Sequence, residues 1–368
     1  MKRYIIILIA LSMIFSLPAS VFAEENAAPG YIKLNLEQSY KLMETNNLEI
    51  KLLDKKIEIK EKQFEDVLDA ADEARRLNKS NTSFQHKRTE VITPKLEWLE
   101  VEALKNDRSD KLDSLKSAVK KQYVNVLLLQ EDVAYITDDI SVMDKRLQEV
   151  QLRIKLGQAK DSEYKTLYSQ KLSVQNQLNL LNVQLESAMI NLKMLLGVDF
   201  AQQVTLEKIT LPYQVVNRET LKSDMIKSID NSFIIYKLNK EITLKNDEIE
   251  MYKDYNRDYK YSPDYKDLSI ELSEMEAELN YEKLNTEADL WIEYYNLMVL
   301  EDDIKLQEVN LEIEKINYES IVTKAKLGMV DSVTEMNAKI SYNRQQTTRQ
   351  RAMYDYIIAV EQFNDKLK

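Results

Sequence analysis

Gln122-Tyr-Val-Asn-Val-Leu-Leu-Leu-Gln-Glu-Asp132 occurs twice in this chain. Shifted by 171 positions it falls on Glu293-Tyr-Tyr-Asn-Leu-Met-Val-Leu-Glu-Asp-Asp303, and the match runs without a gap to Lys155-Leu-Gly157 over Lys326-Leu-Gly328. Tyr123/Tyr294, Asn125/Asn296, Leu129/Leu300 and Asp132/Asp303 are identical. A duplication on this scale decides the architecture before any local propensity does. Both copies end on Leu-Gly in a chain with only 4 glycines. Each of those two glycines is placed where the backbone needs a conformation costly for other residues.

Outward from the repeat, the composition is that of long helices. With 4 Gly and 5 Pro in 368 residues there are few turn formers, and charge is abundant at helical spacing. That pattern predicts coiled coil, with apolar residues lining seams between helices. Val133, Ile136, Ile140, Met143, Leu147, Val150 and Ile154 alternate three and four apart, the spacing of a narrow seam. A helix from about Leu112 to Leu156 would be about 68 Å long and needs another long helix beside it. That partner follows Gly157: Asp161 or Ser162 can cap a helix carrying Leu167, Val174, Leu178, Leu181, Leu185, Ala188, Leu192 and Leu195. Leu195-Leu-Gly197 ends it, with Gly197 as the residue just past the helix.

Upstream, Ile32–Asn47 reads as a short extended entry and a short helix stopped by Asn46-Asn47, since Asn tolerates the left-handed conformation. A long helix then carries Ile50, Leu53, Ile57, Phe64 and Leu68 or Val67. Order loosens over Arg75–Asn81; Ser80-Asn-Thr-Ser83 reads as a turn, Val91-Ile-Thr93 as extended before Pro94, and helix resumes near Lys95. In the second half, Arg218–Ser228 resembles the first short helix, and Asp230-Asn231-Ser-Phe-Ile234 falls on Asn46-Asn47-Leu-Glu-Ile50 at an offset of 184. The first half thus carries 13 extra residues between its long helices. Met251–Ser269, rich in tyrosine around Pro263, makes the corresponding connection, as loop packing, a glycan-stacking surface or a membrane interface. The last helix restarts at Asp331 or Ser332, where Ser332-Val-Thr-Glu335 fits a capping box.

Met1–Ala23 reads as a secretory signal: Lys2 and Arg3, an apolar run Tyr4–Leu17, then Pro18 and Val21-Phe-Ala23. Its run is short for a spanning helix, which takes about 20 residues; cleavage before Glu24 is expected, with a retained anchor as the alternative. The organisation expected is signal peptide 1–23, first helical repeat 24–201, connector 202–217 and second repeat 218–368. The fold class is all-α: long antiparallel helical hairpins in two tandem repeats, with little or no β-structure.

The formal charge is −11, and −13 without Lys2 and Arg3, so no basic stripe exists for nucleic acid. The absence of cysteine excludes disulfides, thiol catalysis and a lipid-modified cysteine. His86, the single histidine, lies in a polar run and reads as a solvated loop or helix-end residue. No phosphate loop, metal motif or nucleophile elbow is present. Acid clusters such as Asp138-Asp139, Glu301–Asp303 and Glu271–Glu278 read as solvated helix faces. No enzyme, catalytic residue, cofactor or metal is expected.

Taken in order, short helix, long helix, irregular segment, long helix, Leu-Gly turn and long helix, twice over, resemble the TolC-type outer-membrane efflux proteins. The residues that carry the resemblance are Leu34-Asn-Leu-Glu-Gln-Ser-Tyr-Lys-Leu42 with Asn46-Asn47-Leu-Glu-Ile50, the Leu-Gly turns, Leu195-Leu-Gly-Val-Asp199 and Tyr354-Asp-Tyr-Ile-Ile-Ala359. The resemblance covers essentially the whole chain after the signal. It implies an exported protein of the cell envelope, three chains closing into a helical tube, and a role in exporting small molecules or proteins. It also implies docking of a periplasmic adaptor (membrane fusion) protein and, through it, an inner-membrane pump. Carried over by position, the adaptor-facing tip is Leu156, Gly157 and Gln158 with Leu327, Gly328 and Met329; read from the residues alone, each glycine is equally a helix stop. Three features depart from the family. Asn47 is followed by Leu48 where the family tends to have proline. The family's aspartate six residues past the tip glycine is Glu163 in one repeat and Thr334 in the other. No segment alternates over the roughly 9–11 residues a barrel strand needs, so no transmembrane β-barrel is expected. The alternative function is a non-transport coiled-coil interaction protein of the envelope.

Overall fold

The computed structural model describes residues 31–78 and 83–367. The expected signal, the linker through Gly30 and most of the turn at Ser80–Ser83 lie outside the described residues.

Strand β1 (Ile32–Leu34) leads into α1 (Leu36–Asn46). Asn35 starts that helix with a reciprocal cap: its Oδ1 accepts from the Gln38 amide at 2.8 Å, and Gln38 Oε1 accepts from the Asn35 amide at 3.0 Å. The first repeat continues with α2 (Leu48–Asn78), α3 (Phe84–Val91), α4 (Thr93–Lys155) and α5 (Asp161–Leu196). After β2 (Val204–Leu206) come α6 (Leu221–Asn231), α7 (Phe233–Tyr255), a 3-10 turn at Tyr259–Tyr261, α8 (Pro263–Lys326) and α9 (Ser332–Lys366). At 63 and 64 residues, α4 and α8 are each about 95 Å long.

Several local expectations change. The break at Asn46-Asn47 is not left-handed: Asn47 is extended, with φ −60° and ψ 129°. Its side chain holds the break instead, Oδ1 accepting from the Glu49 amide at 2.9 Å and Nδ2 donating to the Leu195 carbonyl at 3.0 Å. The equivalent break is at Ser232, with φ −57° and ψ 133°. Asn47 and Ser232 lie 185 apart, as do the buried Ile50 and Ile235, so the offset is 185 rather than 184. Subtracting the 171 that separates the tips leaves 14 extra residues in the first half, not 13. Val91–Thr93 is not extended either. Helix runs almost unbroken through it because Pro94 sits in the first turn of α4, where its missing N–H has no partner to lose, and Ile92 is fully buried.

Strands β1 and β2 pair in parallel, Ile32 with Val204 through Leu34 with Leu206, joining the chain's start to the connector. That pairing was not foreseen in the connector. Among the described residues these are the only strands, so there is no barrel. Nor is any described helix long and apolar enough to cross a membrane. At the end away from the Leu-Gly turns, Phe84 of α3 meets Tyr252 of α7 edge to face at 4.9 Å. The buried Tyr252 hydroxyl bonds Ser262 at 2.7 Å, and Arg88 pairs with the buried Glu248. The tyrosine segment thus packs internally here, with Tyr261 left exposed.

Four long helices lie side by side in the order α5–α4–α9–α8. One core cluster joins Met43, Ile50, Val119, Leu192 and Leu196 of the first repeat to Val204 of the connector. Its counterpart in the second includes Leu221, Ile235, Leu297 and Phe363.

Candidate functional site

The two tips are matching turns. In the first, the Gly157 amide donates to the Ile154 carbonyl at 2.9 Å and the Gln158 amide to Arg153 at 2.8 Å. In the second, the Gly328 amide donates to Ala325 at 3.0 Å and the Met329 amide to Lys324 at 2.9 Å. This is the Schellman motif, and it requires the left-handed φ of 72° at Gly157 and 68° at Gly328. A side chain at either glycine would meet nothing within 4 Å, so the backbone conformation, not crowding, demands glycine. Leu156, Gly157, Gln158, Leu327, Gly328 and Met329 are all exposed, and Leu156, Leu327 and Met329 present apolar side chains to solvent.

Polar contacts place both turns at one end of the molecule. Arg146 of α4 pairs with Glu335 of α9 at 3.1 Å, and Val333 and Met336 share a cluster with Ile154 and Tyr164. The two positions six residues past the glycines take different roles. Glu163 pairs with Arg153 across the first tip at 3.2 Å. Thr334 instead completes a cap: Asp331 Oδ1 accepts from its amide at 2.8 Å and its hydroxyl at 2.6 Å. Those bonds hold the Asp331 carboxyl below its usual value. Asp331 is therefore the cap of α9, and the capping box expected from Ser332 to Glu335 gives way to it. At α5 the cap position is Lys160 without a side-chain bond; Asp161 and Glu163 lie inside the first turn, favourably placed against the helix dipole.

Above the tips, α4 and α9 run antiparallel and are joined by a polar ladder. Lys120 pairs with Glu361, Arg351 Nη1 donates to Asn125 Oδ1 at 2.8 Å, and Lys339 meets Asp139 at 3.2 Å. The Arg146–Glu335 pair continues it toward the tips. Asn125, Asp132, Asp139 and Arg146 are spaced by seven, one face of α4. Between the rungs, Val124 and Leu128 pack on Tyr354, Ile357 and Ile358. The reading of Asp138-Asp139 as a solvated face is therefore half wrong. Asp139 is buried, which raises its pKa against the opposing bond from Lys339. The spacing of seven was the available signal.

The outer helices are unpartnered on one side. On α8, Ile292, Val299, Leu306 and Ile313 recur every seven residues and all are exposed. On α5, Leu180, Val183, Ile190 and Met194 are exposed likewise. Sequence reading passed over this stripe because it assigned every apolar heptad to the hairpin itself. Among the described residues no group of His, Cys, Asp and Glu side chains is placed to hold a metal ion.

No family model matches the sequence, and no curated protein does. Solved structures do match. A membrane protein from Pseudomonas aeruginosa is similar with a TM-score of 0.65 and 11% identity, over 90% of this chain and 93% of its own. The CusC structures, described in terms of folding and transmembrane channel formation, give 0.63 at 12% identity over 95% of each chain. The outer-membrane protein VceC from Vibrio cholerae gives 0.62 at 10% identity over 89% and 95%. The chain therefore has the TolC-type fold, in a divergent form with no barrel strand among its described residues.

Proposed function

We propose that this chain is an exported, non-enzymatic wall segment of a helical conduit in a cell-envelope efflux or secretion system. Three copies would close the tube, and the two Leu-Gly tips would dock a periplasmic-adaptor-type protein linked to an inner-membrane pump. The observation that carries the reading is the pair of matching left-handed turns at one end, presenting Leu156, Leu327 and Met329 to solvent while no other part of the described chain uses them. A glycine turn lets another backbone approach closely, and exposed apolar side chains around it supply the contact. Similar solved structures that are named as outer-membrane channels support the same reading.

A second reading, an envelope coiled-coil stalk without transport, is favoured by the internal packing of α3 and Tyr252 at the end away from the tips. The test is association of the mature chain with an adaptor encoded beside it, comparing wild type with the Gly157→Arg, Gly328→Arg double variant. The conduit reading expects a ring-sized mass by light scattering and loss of adaptor binding in the variant. A monomer at high concentration whose adaptor binding survives the double substitution leaves only the stalk.

A further inference from the structure

Where α4 lies against both α2 of its own repeat and α7 of the other, the surface sinks into an open groove of about 460 Å³. That lies within the roughly 300–1,000 Å³ of sites that take small organic molecules. Its floor is apolar, with Leu99 and Leu244 buried together. Trp98 of α4 and Tyr236 of α7 line it as walls, and these two large rings stay 39% and 41% exposed. Trp98 is held in position twice over. Its Nε1 donates to Glu102 Oε1 at 3.0 Å, and the Phe64 ring of α2 packs against it with centroids 5.2 Å apart.

The internal repeat separates what the fold requires here from what it does not. By the offsets of 171 and 185, the floor residues Leu99 and Leu244 fall on Ile270 and Ile59, apolar again. Trp98 and Glu102 instead fall on Ser269 and Ser273, and Tyr236 and Asp247 fall on Lys51 and Lys62. The floor belongs to the plan of the repeat, whereas the aromatic walls and the carboxylates occur at this seam alone. Helix packing therefore does not call for them. Fixed aromatic walls over an apolar floor, with polar groups converging on the same hollow, have the composition of a ligand site.

The charges around the groove decide the class of ligand. Lys95 and Lys240 are balanced by Glu102 and Asp247, so no net charge draws in an ion. A cationic guest is opposed further, because the chain already supplies cations to both rings. Lys240 Nζ stands 5.5 Å from the Tyr236 ring, and Lys105 Nζ stands 5.1 Å from that of Trp98. What fits is a neutral molecule with apolar faces for the rings and many hydroxyls for the rim. The ammonium groups and Thr243 can donate to those hydroxyls, and the carboxylates can accept from them. We propose that this groove binds a saccharide, a short run of all-equatorial sugar. Its flat C–H faces stack on Trp98 and Tyr236 while its hydroxyls bond Lys240 and Asp247. Asp247 is exposed and enters no ion pair among the described residues, which leaves its carboxylate available. Because the groove is open, the sugar can be a free disaccharide or part of a glycan chain. The assignment holds for a conduit and for a stalk alike.

Cellobiose and cellotetraose are the probes, titrated into the purified protein. The chain has 2 tryptophans, so in a Trp291→Phe variant the emission reports Trp98 alone. A saturable change in that emission is expected, with dissociation constants in the millimolar range or below. By calorimetry, Trp98→Ala and Tyr236→Ala should each weaken binding about 10-fold or more with the circular dichroism unchanged. Tyr261→Ala, which removes a bare tyrosine outside the groove, should leave binding as it is. Equal affinity for the two sugars upholds the site as one for a free sugar or a chain end; tighter binding of the longer one upholds it as one for a continuing chain. No emission change with either sugar at tens of millimolar, or binding indifferent to both alanine variants, overturns the proposal. Tetraphenylphosphonium binding through Trp98 and Tyr236 in place of the sugars overturns it in favour of an organic cation.

Discussion

Gly197 has the same left-handed backbone as the tip glycines, φ 64° against 72° and 68°, yet its surroundings are opposite. A Cβ at Gly197 would stand 2.6 Å from the Asn46 carbonyl oxygen, whereas one at Gly157 or Gly328 meets open space. The two motifs Asn46-Asn47 and Leu195-Leu-Gly197 thus meet twice, the Asn47 side chain donating to the Leu195 carbonyl 148 residues away and the Gly197 backbone lying against that of Asn46. Gly157→Ala and Gly328→Ala should each cost about 1 kcal/mol, the penalty of a left-handed alanine. Gly197→Ala should cost about 3 kcal/mol or more, because the collision is with backbone that cannot step aside. Denaturant midpoints of the three variants check the order; equal losses would mean that Asn46 yields. All three glycines were legible in the sequence as helix stops. That one is also a contact point was not, since the neighbour lies far along the chain.

At the level of elements, the seam of α4 with α9 depends on Lys339. It is the cation paired with the buried Asp139, whose second oxygen, Oδ2, has no hydrogen-bond partner among the described residues. Lys339→Met should destabilise by about 2 kcal/mol, leaving a buried carboxylate without its counter-charge. The Asp139→Leu, Lys339→Met pair should recover most of that loss. Burial raises the folded pKa of Asp139 above 3.8, so its ionisation opposes folding, and the opposition fades as pH falls through the folded value. The single-variant loss, followed by denaturant melts from neutral pH down to about pH 4, should therefore be largest at neutrality and shrink in acid. A loss that grows in acid would contradict the assignment. The hairpin seam itself was readable from Ile136, Met143, Leu147 and Val150, which all prove buried. The seam between repeats was not, because periodicity identifies a face without naming what covers it.

At the scale of the whole molecule, each repeat closes its own cluster while α5 and α8 leave apolar edges bare. Association that covers those edges adds to stability by mass action. The thermal midpoint should therefore rise with protein concentration, and Ile270→Glu should flatten that dependence; scanning calorimetry over a concentration series decides it. The duplication and the hairpins could be read from the residues, as could the lack of barrel strands among the described residues. The strand pair was hidden because three residues on each side carry too little pattern. That small ladder also has a consequence in time. It ties Ile32–Leu34 to Val204–Leu206, and the buried members of the surrounding cluster fall between Leu34 and Val204. Emerging N-terminus first, the chain can complete this half before the second has emerged. The face of α4 that carries the polar ladder then waits for α9, the last helix to arrive, so that the final stretch delivered is the one that locks the two halves together.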